Sequence, residues 1–215
     1  MSDTIDRAVD VLAGRTIALL TGAGISTDSG IPDYRGQGAP RRNPMTGQQF
    51  LADEAARRRY WIGSHLGWRS FSKASPNAGH RAAAALEAAG VVTGVVTQNV
   101  DGLHLRAGSS RVVDLHGSMN RVSCVRCGQT YARADISVTL ERDNPWITVS
   151  SEVILGPDGD VLPETADGFI VPVCTVCGGM LKPDVVFFGE FVPAEKFREA
   201  EAIVHGSEAL VIAGS

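Results

Sequence analysis

Cysteine occurs at four positions only, as the pairs Cys124/Cys127 and Cys174/Cys177. Two Cys-x-x-Cys loops supply four thiolates with the ligand identity of a tetrahedral structural zinc site. Such a site is closed to substrate and contributes folding energy, so the chemistry has to reside in other residues. A thioredoxin-like redox centre would use one pair beside a strand, and a structural disulfide belongs to an oxidising compartment. Forty-six residues separate Cys127 from Cys174, more than a compact finger holds. The metal is therefore expected to staple an excursion from the main fold, a zinc-binding module over residues 121–181.

Around that excursion the sequence alternates helical and strand patterns. Ile5, Val9 and Leu12 recur at helical spacing and stop before Gly14, which predicts an amphipathic helix over residues 3–13. Residues 16–20 are a short apolar run that breaks at Gly22-Ala-Gly24, reading as a buried parallel strand, a phosphate-approach turn and a short helix. Residues 33–71 are rich in arginine and glycine and carry one expected helix near 48–61, giving a cofactor loop and a helical flap over about 36–75. An alanine-rich helix over 76–89 precedes a strand at 91–97, and a third short strand covers 111–114. The polar stretch Gly156 to Asp160 suggests a turn. Strand character returns over 183–188, with a helix at 193–205 and a strand at 209–213. The expected fold is α/β: a doubly wound, Rossmann-like parallel sheet formed by residues 1–120 and 182–215, with the zinc module inserted and a helical flap. A buried strand of such a sheet normally leads into another element, so a chain ending on its last turn is expected to be truncated.

The 215-residue length allows one sizeable core plus a small module. No apolar run approaches the about 20 residues of a membrane helix. The net charge of −4 argues against a nucleic-acid partner, and Arg57-Arg58-Arg59 reads as a solvated helix face. The acidic N-terminus has neither a secretory apolar region nor an Arg-rich transit pattern, from which cytoplasmic residence is expected.

The chemistry concentrates in three places. Gly22-Ala-Gly24 has no third glycine at position 27, where Thr27 stands, so a conventional dehydrogenase fingerprint is not supported. It remains either a tight turn or a phosphate site without that glycine. His116 follows a predicted strand and precedes Gly117; histidine serves as a general base because its reference pKa is about 6.5, although a lone histidine is more often structural. Asn99 and Asp101 follow another predicted strand and fall at the carboxyl edge where open α/β sheets bind ligands. Asp101 could instead cap the short helix beginning at Gly102.

The runs Gly22-Ala-Gly-Ile-Ser-Thr-Asp-Ser-Gly-Ile-Pro-Asp-Tyr-Arg35, Thr97-Gln-Asn-Val-Asp-Gly-Leu-His104, Asp114-Leu-His-Gly117 and Lys182-Pro-Asp-Val-Val-Phe-Phe-Gly-Glu190 resemble, in order and with the intervening cysteines, the signature blocks of the sirtuins. The resemblance spans roughly residues 14–215; the long gap between cysteine pairs looks most like the class II branch that includes the mitochondrial sirtuin four of animals. It implies an NAD-dependent protein-lysine deacylase that releases free lysine, nicotinamide and O-acyl-ADP-ribose, with one structural zinc on Cys124, Cys127, Cys174 and Cys177. By the same resemblance His116 is the general base. Gly22, Ala23 and Gly24 would hold the diphosphate, Ile31 and Asp101 the nicotinamide, and Gln98 and Asn99 the ribose. Val100, Gly214 and Ser215 complete the expected cofactor set, and Asp33, Tyr34 and Arg35 lie on a loop closing over it. Val186, Phe187, Gly189 and Glu190 match the segment that pairs with an acylated peptide as an added strand.

Two departures bear on that reading. The family continues past Gly214-Ser215 with strands that complete the adenine–ribose site and the far wall of the peptide groove. Sirtuins that remove succinyl or malonyl groups carry a Tyr-x-x-Arg pair on the flap, and here Tyr60 is followed at that spacing by Gly63. The alternatives are an NAD-dependent mono-ADP-ribosyltransferase and a non-catalytic binding module; acyl length, protein target and oligomeric state are open.

Overall fold

The computed structural model describes residues 2–34, 44–147, 156–158 and 168–214. In chain order the elements are α1 (Ser2–Leu12), β1 (Ile17–Thr21), a 3₁₀ segment (Ala23–Ser29), α2 (Gly47–Ala52), α3 (Glu54–Phe71), α4 (Ala78–Ala88), β2 (Val92–Thr97), α5 (Leu103–Ala107), β3 (Val112–Asp114), β4 (Gly117–Cys124), β5 (Thr130–Ala132), α6 (Arg133–Asp143), β6 (Leu181–Val185), α7 (Ala194–His205) and β7 (Ala209–Ala213). Among the described residues no helix is long and apolar enough to cross a membrane.

Four strands form a parallel sheet in the order β3-β2-β1-β7. Successive side chains of a strand point to opposite faces, so a strand covered on both sides must be apolar throughout. In β1, Ala18 and Leu20 pack with Val96, Val113 and the α7 residues Ala200 and Ile203. Leu19 turns the other way, against Val92, Val95 and Ala83 of α4. Burying a side chain such as Ile203 or Val95 stabilises by about 1.5–3 kcal/mol, which holds the two helix layers on the sheet.

A second, antiparallel sheet has the order β5-β4-β6. Here the structure departs from the expected boundaries. The run over 183–188 belongs to this small sheet, not to the parallel one, and its strand ends at Val185. An apolar run states that a strand is buried but not which sheet takes it, and Gly189 at φ +81° turns the chain just beyond. The excursion consequently begins at Gly117 and closes at Val185, outside the expected 121–181 on both sides.

The flap is two helices where one was expected. The Asp53 carboxylate accepts from the Ala55 and Ala56 amides at 2.8 and 3.2 Å, so it caps α3 and breaks it from α2. Successive turns of α3 then serve different cores. Trp61 and Ile62 pack with Phe50, Ile136, Leu140 and Phe187, while Trp68 and Phe71 pack with Ile31, Val100, Leu103 and Met119. Of the expected turn from Gly156 to Asp160, Pro157 and Asp158 form a turn and the last two residues lie outside the described set.

Gly117 sits where β4 leaves the parallel sheet. Its φ is +79°, and a Cβ there would stand 2.1 Å from the Asp184 carbonyl oxygen of β6. Gly117→Ala is therefore expected to lower stability by about 2–4 kcal/mol, through left-handed strain plus displacement of β6. Denaturant titration measures this; an unchanged midpoint would show that β6 is not tied to this residue.

Candidate functional site

The carboxyl ends of β1 and β2 are joined by polar groups. The Thr21 hydroxyl donates to Thr97 Oγ1 at 2.9 Å, and the Asn99 amide donates to the same oxygen at 3.1 Å. Asn99 Nδ2 donates to the Gly22 carbonyl (3.0 Å) and to Ser26 Oγ (3.1 Å). Ser26 Oγ in turn donates to Asp101 Oδ2 at 2.7 Å, and Asp101 Oδ1 accepts from the Leu103 amide at 2.8 Å. The cap position of α5 is Gly102, and Asp101, one residue earlier, holds the first amide of that helix with one oxygen and the glycine turn with the other. Asn99, Asp101 and Ser26 are all buried.

Two histidines extend this network. The Asn77 amide donates to His80 Nδ1 at 3.3 Å, so the proton of neutral His80 is on Nε2, 3.4 Å from Ser26 Oγ. His104 Nε2 lies 2.9 Å from Thr21 Oγ1, whose proton is committed to Thr97, so His104 is the donor there. Burial, reinforced by His80 with the rings 4.8 Å apart, holds His104 down at about 4. His80 is lowered by burial as well. Neither carries charge at neutral pH, and both act as fixed dipoles behind the turn. Ser26 lies inside a motif that the sequence flagged, whereas His80 gives no signal beyond a histidine on a helix.

The glycine turn is packed against the end of β7. The Gly24 amide donates to the Gly214 carbonyl at 2.7 Å and the Gly22 amide to Ala213 at 3.3 Å. A Cβ on Gly24 would lie 2.9 Å from Gly214 Cα, so only glycine allows the approach. The amides of Gly22 and Gly24 are committed to the fold. Ile31 is buried beside Val100 and Leu103. The Tyr34 hydroxyl donates to Asp158, tying the segment after the 3₁₀ turn to the excursion, and its ring meets Phe188 edge-on at 6.4 Å. Arg35 and Ser215 lie outside the described residues.

His116 is half-buried between β3 and β4, with Nδ1 2.9 Å from the Gln98 carbonyl oxygen. A carbonyl only accepts, so Nδ1 carries the proton and Nε2 presents the basic lone pair of the neutral ring. The His116 carbonyl accepts from the Val186 amide at 2.9 Å, seating the ring beside the 186–190 segment. Within that segment Glu190 turns inward: Oε2 accepts from the Phe187 amide at 2.8 Å and lies 3.0 Å from Lys182 Nζ. Phe187 is buried on Phe50, ring centres 5.1 Å apart. A cavity of about 550 Å³ opens alongside, lined by Asp114, Gly117, Arg121, Lys182, Val186 and Lys196 among others. In it Asp114 is raised to about 6, by burial first and the Asp101 charge second, against the opposing pull of Lys196 and Arg121.

At the far end of the excursion two loops with the same turn hydrogen bond face each other. Gly128 donates to the Cys124 carbonyl and Gly178 to the Cys174 carbonyl, at 3.0 and 2.8 Å. The Cys124–Cys177 and Cys127–Cys174 sulfurs are 3.5 and 3.7 Å apart, and all four lie within 4.8 Å of one another. Tetrahedral zinc with Zn–S near 2.3 Å needs sulfurs about 3.8 Å apart, so the set fits the ion. The Tyr131 hydroxyl, 3.1 Å from Cys174 Sγ, holds that thiol down at about 6. Cys177 goes the other way, to about 12, because the crowding of three neighbouring sulfurs outweighs the Gly179 amide. Four thiolates at this spacing require a cation.

The parallel strands bring Gly22–Gly24, Gln98–Asp101, His116 and Gly214 to one carboxyl edge, where α/β sheets bind nucleotides. The buried Asn99 amide and Asp101 carboxylate there, with the Ser26 hydroxyl between them, are polar groups of the kind an NAD-type ligand requires.

Comparison with known proteins was made on this footing. A family profile described as Sir2 family matches residues 22–215. A protein of Mycobacterium avium (strain 104) named NAD-dependent protein deacetylase 1 is 54% identical over 211 residues, covering 96% of this chain and 75% of the relative. A protein of the same name from Streptomyces coelicolor is 50% identical over 209 residues, with 96% and 70% covered. Among solved structures, a Sir2 with p53 peptide and NAD⁺ superposes with a TM-score of 0.76 at 32% identity, covering 98% of this chain and 75% of that one.

Two outcomes check the site. Cys174→Ser should abolish stoichiometric zinc and lower the melting temperature, since structural zinc in small domains contributes on the order of 10 kcal/mol of apparent binding free energy; full zinc content in the variant would remove Cys174 from the ligand set. The second concerns pH. The folded value of Asp114, about 6, exceeds its ordinary value of about 3.9, so its contribution is complete below pH ~4 and is lost as pH rises through 6. Asp114→Asn removes that loss, so the variant should gain stability over the parent between pH 5 and 8; parallel melting curves across that range would refute the placement.

Proposed function

The chain belongs to the Sir2 family, and on that premise we propose that it is an NAD-dependent protein-lysine deacylase acting on acetylated lysine in a protein or peptide. The observation that carries the reading is the His116 ring, with Nδ1–H anchored on the Gln98 carbonyl so that Nε2 is left as base. NAD, when bound, supplies a ribose carbon as acyl acceptor with nicotinamide as leaving group.

The chain's own residues divide the work. Asn99 and Asp101, immobilised by Ser26 and the Gly22 carbonyl, would orient the nicotinamide ribose and the carboxamide, and Gln98, Val100 and Ile31 would wall that pocket. Because Gly22 and Gly24 donate to β7, the turn would contribute shape and Ala23 the nearest amide, with Gly214 closing the adenosine side and Ser215 beyond it. Asp33, Tyr34 and Arg35 would cover the bound cofactor. His116 Nε2 would take a proton from a ribose hydroxyl, general-base chemistry worth about 10²–10⁴-fold. The Val186–Glu190 segment would seat the peptide, with Phe187 and Glu190 supporting the segment from behind and Val186 and Gly189 nearer the groove. Zinc on the four cysteines would hold the module that forms the opposite side. In this reading the parallel sheet forms the cofactor domain and the excursion from Gly117 to Val185 the smaller one.

His116→Ala is expected to keep the fold and most NAD affinity while losing about 10²-fold or more in turnover of an acetyl-peptide. Mass spectrometry of the products separates the readings. O-acetyl-ADP-ribose formed one-for-one with free lysine supports deacylation, and ADP-ribose attached to protein in its place would make the enzyme a transferase.

A further inference from the structure

Trp61, Ser64, His65 and Trp68 recur at i, i+3, i+4 and i+7 on α3 and so share one face. All four are buried, at 0, 0, 2 and 8% exposure. Arg133, the first residue of α6, lies on that face with none of its surface exposed. Its guanidinium carbon is 4.8 Å from the Trp68 ring centre and 5.7 Å from that of Trp61. Nη2 donates to the Ser64 carbonyl at 3.1 Å and reaches Ser64 Oγ at 3.3 Å. Nε and Nη1 find no hydrogen-bond partner among the described residues, and neither do Trp61 Nε1 and His65 Nδ1 on the same helix face.

A buried guanidinium without a counter-charge is strongly unfavourable, and two indole faces recover only part of the lost hydration. Burial lowers Arg133 to about 10, partly opposed by Tyr60, so it stays protonated at neutral pH. His65 is lowered by burial and by Arg133 itself, and brings no second cation. The unmet groups of Arg133 and Trp61 are all N–H donors. A water molecule would answer two of them and return no charge, whereas an anion accepts from several donors and neutralises the cation.

We propose that the junction of α3 and α6 is a binding site for a small monovalent anion, a halide or a short carboxylate, held by Arg133 Nε and Nη1 with the Trp61 indole N–H. None of the donors belongs to the cysteine loops, the carboxyl edge of the sheet or the 186–190 segment, although Trp61 shares a core with Cys124, Cys174 and Phe187. Occupancy of the site would lock the flap helix, whose Trp68 packs with Ile31 and Val100, onto the zinc module.

Crystals grown in bromide should show an anomalous peak within hydrogen-bond distance of Arg133 Nε or Nη1. With gluconate holding ionic strength constant, chloride and acetate titrated separately identify which source binds. Either should raise the melting temperature by about 3–6 °C at ten times its dissociation constant and then saturate. Arg133→Met should abolish the dependence whatever its own stability; if that variant does not fold, the bromide map of the parent decides. An ordered water with no anomalous signal, a response that does not saturate below molar salt, or an equal response in Arg133→Met would each overturn the proposal. None of these readouts depends on deacylase activity.

Discussion

The excursion leaves β3 through His116 and closes at Val186, ahead of α7 and β7, and those two residues are hydrogen-bonded to each other. The Val186 amide donates to the His116 carbonyl, while Gly117 presses against Asp184 at a distance that excludes any side chain. One backbone crossing therefore sets where the imidazole stands relative to the segment assigned to the peptide. The excursion between them can be long because the loop-closure penalty grows only slowly with length. The four cysteines close its far end, so both ends of the module are fixed, one by backbone packing and one by the metal-binding loops.

The 186–190 segment is ordered from within. Lys182 Nζ donates to the Val185 carbonyl at 2.7 Å, pairs with Glu190 at 3.0 Å and lies 4.6 Å from the Phe187 ring centre. Lys182 and Glu190 are largely withdrawn from solvent, so their attraction is screened less than that of the surface pair Arg58–Glu54. Glu190 also occupies the space a side chain at Gly47 would need, and Gly47 donates to the Phe188 carbonyl. The flap, the turn and β6 therefore meet at one carboxylate. The residues in that segment that read as substrate contacts divide physically into a displayed part and a supporting part.

The parallel strands and their helices were legible because a five-residue apolar run bounded by glycine has few other uses, and the structure places β1, β2, β3 and β7 within a residue or so of the expected spans. The cysteine spacing was equally informative, since ligand chemistry and loop geometry constrain each other. Pro183 to Phe188 misled for the same reason that β1 did not: burial is local information, whereas the partner strand is not. The Asp53 cap was readable in Asp-Glu-Ala-Ala, yet the apolar periodicity runs through it and masked the break. α6 went unpredicted because its core-facing residues include Arg133 and Ser137, which count as polar in any periodicity test. Ser26 and His80 were invisible as a pair, being 54 residues apart.

The substitution of Thr27 for a third glycine has a structural counterpart. In the dinucleotide fingerprint that glycine lets a helix pack closely on the first strand and point its amides at a pyrophosphate. Here the turn enters a 3₁₀ segment, and Thr27 Oγ1 donates back to the Gly24 carbonyl at 3.0 Å. Asn77, from the cap of α4, donates to the Ile25 carbonyl at 2.7 Å and to Ser29 Oγ at 3.0 Å. The segment is thus held from outside by side chains, and its own Ser26 hydroxyl is free to turn inward toward Asn99 and Asp101. A longer helix at this point would satisfy its backbone internally and leave less reason for that convergence. The 3₁₀ turn with Thr27 and the buried Ser26–Asn99–Asp101 cluster are therefore parts of one arrangement, in which side chains rather than successive helix amides converge at the carboxyl edge of the sheet.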